Sequence, residues 1–259
     1  MSYTAYQAWR DRPITEPPWL SVVIPAFNEA ERILPTVAAI AAHLSAYGRP
    51  WELIVSDDGS TDDTVERLQM LDMANLRVVQ APANAGKGAA VRRGVMSARG
   101  ELILFADADN STPIEEADLL LAAVDGGEAE VAIGSRAVAG AEEASKSLLR
   151  RILSGTSRAL ARRVLAVSLA DTQCGFKLFR ARVARDLFAS QRIDGFAFDM
   201  EVLYLAARRG YRIAEIAVRW VDAPGSKVDP RREAARFLRD MARVRWNDLA
   251  GRYAREAQA

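Results

Sequence analysis

The chain has 259 residues, 50% of them hydrophobic, which is enough for a sizeable core and excludes global disorder. Cys174 is the only cysteine, so a disulfide framework or a cysteine-rich metal centre within one chain is excluded. A formal charge of +1 hides a polarity: residues 1–145 carry 11 Lys/Arg against 22 Asp/Glu, and residues 146–259 carry 24 against 12. The acidic front suits metal ions and the basic back suits phosphates or an anionic surface, although uneven, solvated faces account for the same counts. No apolar run approaches the roughly 18 residues of a membrane span. Residues 1–17 lack the apolar run of a signal peptide and read as a flexible arm.

From there the chain alternates. Leu20 to Ile24 is a short apolar run closed by Pro25, the pattern of a buried parallel strand. Residues 29–47 carry Ile33, Val37, Ile40 and Leu44 at helical spacing. Strands are expected at Trp51–Val55, Leu76–Gln80, Glu101–Ala106 and Ala129–Gly134. Helices are expected at Val65–Leu71, from the Asn84–Gly88 loop to about Arg99, and at Pro113–Val124. This alternation predicts an α/β fold with a mostly parallel central sheet flanked by helices. Ligands of such sheets bind beyond the carboxyl ends of the strands. Polar clusters fall at three such ends: Phe27-Asn28-Glu29, Asp57-Asp58 and Asp107 to Asp109.

Beyond Arg136 the character changes. Residues 137–147 read as a loop, and 148–169 as a helix studded with Arg150, Arg151, Arg158, Arg162 and Arg163. A polar-to-apolar segment, DTQCGFKLF, follows. Then come a helix over Asp199–Arg209, a strand over Ile213–Trp220, a Gly225-Ser226-Lys227 loop and a basic helical tail over 231–255. No sharp linker divides the chain. The expected organisation is an arm over 1–17, a nucleotide- and metal-binding half over 18–136 and an acceptor half over 137–259.

Asp107 and Asp109 stand two apart where a strand turns, so both carboxylates can converge on one hard cation. Ser111 can add a hydroxyl to the same ion, or Asp109 and Ser111 can simply cap the next helix. An ionised Asp57 can accept hydrogen bonds from a nucleobase or ribose, while Ser60, Thr61 and Asp63 suit a helix start. Asn84 to Gly88 lacks the spacing of a phosphate-binding P-loop, which excludes that class of ATPase. Its two glycines point to backbone turns close to a ligand. Lys87, Arg136 and Lys227 can hold anionic oxygens or be solvated surface charges. Asp199 is either a first-turn helix carboxylate or a general base. Cys174 has no histidine near it in sequence, and His43, the only one, falls on a predicted helix, so a Cys-His pair is not expected.

In order along the chain, LSVVIPAFNE, ELIVSDDGSTDDT, NAGKGAAVRRG, ELILFADADN, AIGSR, DTQCGFKLF, FAFDMEVLYLA and GSK resemble the motifs of family 2 glycosyltransferases. The resemblance spans about residues 18 to 250 and is closest to the dolichyl-phosphate (polyprenyl-phosphate) β-glucosyltransferase branch. It implies a single GT-A, Rossmann-like fold with a basic helical C-terminal elaboration. It also implies inversion of an α-linked nucleotide sugar and dependence on Mg²⁺ or Mn²⁺. By resemblance, Pro25, Ala26, Phe27, Glu29, Asp57 and Lys87 surround the nucleotide, with Asp107 at both donor and metal. Asp107 and Asp109 are then the metal motif, with Asp109 the main ligand. Arg136, Gln173 and Lys227 lie around the transferred sugar and the acceptor phosphate. Asp199 is the base if the acceptor is an alcohol. Asn110 replaces a common glycine of the branch, and Ser111 stands where mannose-type relatives often have glutamine.

The expected donor is UDP-glucose, with GDP-mannose second. The expected acceptor is a polyprenyl or dolichyl phosphate, with a small soluble molecule as the alternative. Eukaryotic members of the branch are expected to carry an N-terminal membrane anchor, and none is expected here. The arginine-rich segment instead suits an amphipathic helix on an anionic leaflet, or an ordinary surface helix. A cytoplasmic protein with peripheral membrane contact is expected. A sugar nucleotidyltransferase or a non-catalytic nucleotide-sugar binder would share the acidic strand ends. Nucleic acid is not an expected partner, since the basic half lacks the interleaved aromatics of a stacking groove.

Overall fold

The computed structural model describes residues 16–139, 142–143, 169–221 and 230–254. Residues 1–15 of the expected arm, 148–168 of the expected basic helix, and Lys227 lie outside the described residues.

Seven strands form the main sheet in the order β3-β2-β1-β4-β7-β5-β8. They are β1 (Leu20–Ala26), β2 (Trp51–Asp57), β3 (Leu76–Gln80), β4 (Leu102–Ala106), β5 (Val131–Ser135), β7 (Phe176–Arg180) and β8 (Ile213–Ala217). β1 runs parallel to β2 and β4, β2 to β3, and β5 to β8. Only β7 is antiparallel, wedged between β4 and β5. A small second sheet pairs β6 (Glu142–Glu143) with β9 (Arg219–Trp220). The mostly parallel α/β architecture is therefore as expected.

Two apolar layers cover the sheet. On one face, Val22, Ile24, Leu53, Leu104 and Phe176 pack against helices α1 (Ile33–Leu44) and α4 (Ala117–Asp125). On the other, Val23, Ile54, Phe105, Ile133 and Phe179 pack against α3 (Lys87–Ser97), α5 (Ala181–Ser190), α6 (Phe198–Arg208) and α7 (Pro230–Leu249). The short α2 (Thr64–Gln69) follows β2. Each fully buried Leu, Ile or Phe contributes about 1.5–3 kcal/mol, so these two layers hold the strand ends rigid.

The differences from expectation have local causes. The helix expected from residue 29 starts at Ile33, because the backbone at 28–32 turns on left-handed Asn28 (φ 54°). The run Ile213–Trp220 splits into β8 and β9 around Val218, whose N–H reaches the Ser135 carbonyl. Within the expected 137–147 loop, Glu142 and Glu143 form β6. β7 and α5 are additions, since DTQCGFKLF reads only as a polar-to-apolar transition. A lysine inside an apolar run argues against a buried strand, yet Lys177 is 1% exposed.

Candidate active site

β2 and β3 lie on one side of β1 and β4 on the other, so the strand order reverses between β1 and β4. In such sheets the crevice forms at that reversal, beyond the carboxyl ends. Pro25 and Ala26 end β1 there, and Phe27 is 42% exposed on its rim. The loop after β1 is stitched to the loop after β2. Asn28 donates its N–H to Ser60 Oγ (2.9 Å), and its Oδ1 accepts the Thr61 N–H (2.8 Å). The Glu29 N–H reaches Thr64 Oγ1 (2.9 Å). Asp57 is buried, and its Oδ2 accepts the N–H groups of Gly59 and Ser60 (both 3.1 Å). Its Oδ1 is buried without a donor. Asp58 accepts the N–H groups of Ala85 and Gly86 (3.1 and 2.7 Å) and meets Arg93 (3.3 Å), which fastens the 83–87 turn to β2.

That turn delivers Lys87 to the end of β4, where its Nζ lies 2.6 Å from Asp107 Oδ1. Burial works against the Lys87 charge, but the fields of Asp107, Asp199 and Asp109 outweigh it and raise the pKa above the ordinary lysine value. The glycines beside Lys87 meet a neighbouring stretch of backbone. A Cβ on Gly86 would stand 2.4 Å from the Asp194 carbonyl oxygen, and one on Gly88 2.6 Å from that of Ile193. They admit the 193–195 backbone.

Asp107 is held by its surroundings as well. Its N–H donates to the Gly175 carbonyl (3.1 Å), and a Cβ on Gly175 would fall 1.9 Å from Asp107 Oδ2. Asp109 Oδ1 accepts the Ser111 N–H (3.0 Å), so part of the expected capping turn is present. Asn110 between them is left-handed (φ 52°), a region that glycine and asparagine tolerate. Thr36 of α1 donates to the Ala108 carbonyl (2.6 Å) and pins the turn from below. Glu29 faces the same pair. Burial raises its carboxyl pKa, Arg32 at 2.7 Å lowers it, and the charges of Asp109 and Asp107 add to the rise, with a net upward shift.

Asp199 opens α6 on the other side of Lys87. It is buried, and the buried Lys177 ammonium sits 2.7 Å from its Oδ1 and also donates to the Cys174 carbonyl. Burial pushes the Asp199 carboxyl up, against the pull of Lys177 and Lys87, and the net direction is upward. The Phe105 ring lies beneath both lysines, at 5.4 and 5.8 Å. Exposed Phe196 stands 5.8 Å from Lys87. Lys87, Asp107, Lys177 and Asp199 thus form two interleaved ion pairs with balanced charge over an aromatic floor.

Further along the rim, Arg136 leaves β5 and grips Asp171 with both arms of its fork, Nε to Oδ2 at 2.7 Å and Nη2 to Oδ1 at 3.0 Å. Asp171 also accepts the N–H groups of Arg136 and Gln173 (both 3.1 Å). Although burial opposes it, Arg136 holds the Asp171 pKa down at about 2. Trp220 of β9 lies 5.5 Å from the Arg136 guanidinium. The 171–175 segment enters antiparallel β7 beside the end of β4, which brings Gln173 to the same rim.

The structure therefore gathers Pro25, Ala26, Phe27, Glu29, Asp57, Lys87, Asp107, Asp109, Ser111, Asp199, Arg136 and Gln173 along one edge of the sheet. Lys177 and Asp171 were not among the sequence candidates. Their signals are the lysine inside GFKLF and the aspartate that opens DTQCGFKLF. Cys174 is buried, and burial pushes its thiol up to about 11, so it is not a nucleophile. His43 lies on α1 and pairs with Asp118 of α4 (2.9 Å), away from the crevice.

Could the Asp pair hold a divalent ion? Asp107 and Asp109 offer only hard oxygen donors, and their combined field is felt at Glu29. Among the described residues, no group of three or more His, Cys, Asp or Glu could enclose a metal. This donor set fits Mg²⁺ or Mn²⁺ completed by phosphate oxygens and water, and does not fit a closed structural site.

Residues 21–188 match the family model for glycosyl transferase family 2. The chain is 33% identical over 247 residues to the dolichyl-phosphate beta-glucosyltransferase of Dictyostelium discoideum, covering 90% of this chain and 76% of that protein. It is 39% identical to the Drosophila melanogaster protein of the same name, covering 87% and 73%. The fold matches glucosyl-3-phosphoglycerate synthase from Mycobacterium tuberculosis, solved with Mn²⁺, uridine diphosphate and phosphoglyceric acid. That match has a TM-score of 0.67 at 21% identity and covers 93% of this chain and 80% of that one. With the motif order, the GT-A-like sheet and the crevice at its strand reversal, this chain belongs to glycosyl transferase family 2 and is a glycosyltransferase.

Proposed function

We propose that this enzyme moves glucose from UDP-glucose to a polyprenyl phosphate of the dolichyl type, with Mg²⁺ or Mn²⁺ and with inversion at the anomeric carbon. The observation that carries this reading is the likeness to dolichyl-phosphate beta-glucosyltransferases over about nine-tenths of the chain. The geometry supports it residue by residue. Asp57 Oδ1, buried without a donor, suits an N–H of the nucleobase or a ribose hydroxyl once the donor is in place. Asp107 and Asp109 would hold the ion, which supplies charge neutralisation to the departing diphosphate. Lys87 stands beside them with its positive charge reinforced, ready to pass from Asp107 to a phosphate oxygen.

A phosphate monoester has a second pKa of about 6, so the acceptor is already a dianion near neutral pH. It needs holding more than deprotonation. Arg136, Gln173 and Lys227 are assigned to that holding. Asp199, locked by Lys177, is assigned to fixing the field around Lys87 and not to removing a proton. No helix among the described residues is long and apolar enough to cross a membrane. The reading includes a peripheral approach to the lipid acceptor from the cytoplasmic side.

The test is a donor panel. Radiolabelled UDP-glucose and GDP-mannose are offered with detergent-dispersed dolichyl phosphate, with Mn²⁺ or with a chelator. Label should enter the lipid phase from UDP-glucose only, with loss under chelation. Labelling of a water-soluble acceptor alone, or no transfer from any donor, would overturn the reading.

A further inference from the structure

On the flank of the molecule, between α3, the 191–194 turn and the end of α7, lies a second cavity of about 270 Å³. It is lined by four arginines, Arg92, Arg192, Arg243 and Arg252, and by one acidic residue, Asp194. Only part of that charge is satisfied. Arg92 pairs with Asp194 (2.8 Å). Arg192 Nε donates to the Arg252 carbonyl (3.1 Å), and Arg252 Nη1 donates to Asn247 Oδ1 (3.0 Å). Among the described residues Arg243 has no hydrogen-bond or ion-pair partner; it adds its field to buried Glu201. Glu201 itself is taken up by the N–H groups of Arg192 and Ile193 and by the Tyr253 hydroxyl.

Gln191 supplies an independent observation. It is buried, and it lines the same cavity. Its amide NH₂ donates to the carbonyls of Gly88 (3.0 Å) and Ile193 (2.8 Å), which fixes the orientation of the amide. Its Oε1 is then left buried without a donor. The cavity thus combines arginines, whose mutual repulsion falls when they share an anion, with one acceptor buried in its wall that lacks a hydroxyl or N–H donor.

We propose that this cavity binds a phosphate ester that also carries a hydroxyl group, separately from the catalytic crevice. The phosphate lies among Arg192, Arg243 and Arg252, and the hydroxyl donates to Gln191 Oε1. A phosphorylated polyol has this chemistry whether it is free in solution or is the glycerophosphate headgroup of a lipid.

Glycerol 3-phosphate is titrated calorimetrically into the full chain and into an Arg192→Ala/Arg243→Ala variant, at matched ionic strength. Saturable binding is expected, with affinity reduced about 10-fold or more in the variant. The variant should keep its circular dichroism spectrum, because neither side chain holds more than one surface hydrogen bond. Arg243→Gln alone serves if the double variant fails to fold. Sulfate, which has no hydroxyl to donate, should bind about 10-fold more weakly. Vesicles with and without phosphatidylglycerol separate the two sources: sedimentation with the anionic vesicles that is lost in the variant identifies the headgroup. Equal glycerol 3-phosphate affinity for wild type and variant, or binding of neither probe, would overturn the proposal. Equal affinity for sulfate would remove the hydroxyl from it. UDP binding should be the same in wild type and variant, so failure of this site leaves the reading of the catalytic crevice untouched.

Discussion

The two banks of the crevice are built by different chemistry. On the β1–β2 bank the carboxylates are bound mainly by main-chain N–H groups: Asp57 by Gly59 and Ser60, Asp58 by Ala85 and Gly86, Asp62 by Ala30 and Thr64. On the β4–β7–β5 bank most are paired with side-chain cations: Asp107 with Lys87, Asp199 with Lys177, Asp171 with Arg136. Short side chains clamped to backbone fix the shape of a pocket and leave little to rearrange. Ion pairs fix its charge instead, and a flexible ammonium can exchange one partner for another. On the proposed function, the first bank is a mould for the donor, and the second is the reacting side, with charges that respond to what binds.

Asp109→Asn strikes the second bank hardest. It removes charge from the proposed metal pair while keeping the acceptor for the Ser111 N–H. Glucosyl transfer should fall about 10³-fold, close to 4 kcal/mol of transition-state stabilisation. The melting temperature should stay near that of the wild type. Steady-state rates with saturating Mn²⁺ check this, and a loss under about 5-fold would remove Asp109 from the metal site.

Lys177→Met comes next. It leaves Asp199 buried without its closest cation, and breaking a buried pair costs about 3–5 kcal/mol. Urea denaturation measures the loss. The double variant with Asp199→Asn should recover much of it, because the orphaned charge is then gone. No recovery would mean that Lys177 acts by packing and not by charge.

This contrast between banks also governs what the sequence reveals. β1 to β4 are legible because each is an apolar run ending in a polar cluster at a parallel sheet's carboxyl edge. β7 is not, since Lys177 breaks its apolar run, and a carboxylate from α6, 22 residues on, helps to make that burial tolerable. Asp107 and Asp109 stand out locally, whereas Asp171 becomes informative only when β5 brings Arg136 to it across 35 residues. Gly86 and Gly88 advertise a close approach without naming the partner, and the partner is the 193–195 backbone. Local signals locate the mould. The charge pairs depend on contacts between distant segments.

The Arg136–Asp171 fork gives a pH-resolved test of the second bank. The Asp171 pKa is lowered from 3.8 to about 2 in the fold, so its ionised form is favoured there. That stabilisation is fully present above about pH 4 and fades as the pH falls toward 2. Asp171→Asn should therefore cost about 2 kcal/mol near neutral pH, with the gap to wild type closing in acid. A gap that is the same at pH 3 and pH 7 would show that the charge is not the source.

Asp62 and Asp63 set the two modes side by side at the smallest scale. Asp62 accepts the Ala30 N–H (3.2 Å) and both the N–H and the hydroxyl of Thr64 (3.1 and 2.5 Å), and those bonds hold its pKa down against burial. Asp63 meets only Arg67, one helical turn on, with both side chains about half exposed. Asp62→Ala should cost about 1–2 kcal/mol as a lost main-chain clamp. Asp63→Ala should stay within about 0.5 kcal/mol, the usual yield of an exposed i,i+4 pair. High salt should erase the smaller effect and leave the larger, because only the Arg67 contact is an exposed charge–charge attraction. Paired urea curves at low and high salt read both, and equal costs for the two aspartates would break the distinction drawn between the banks.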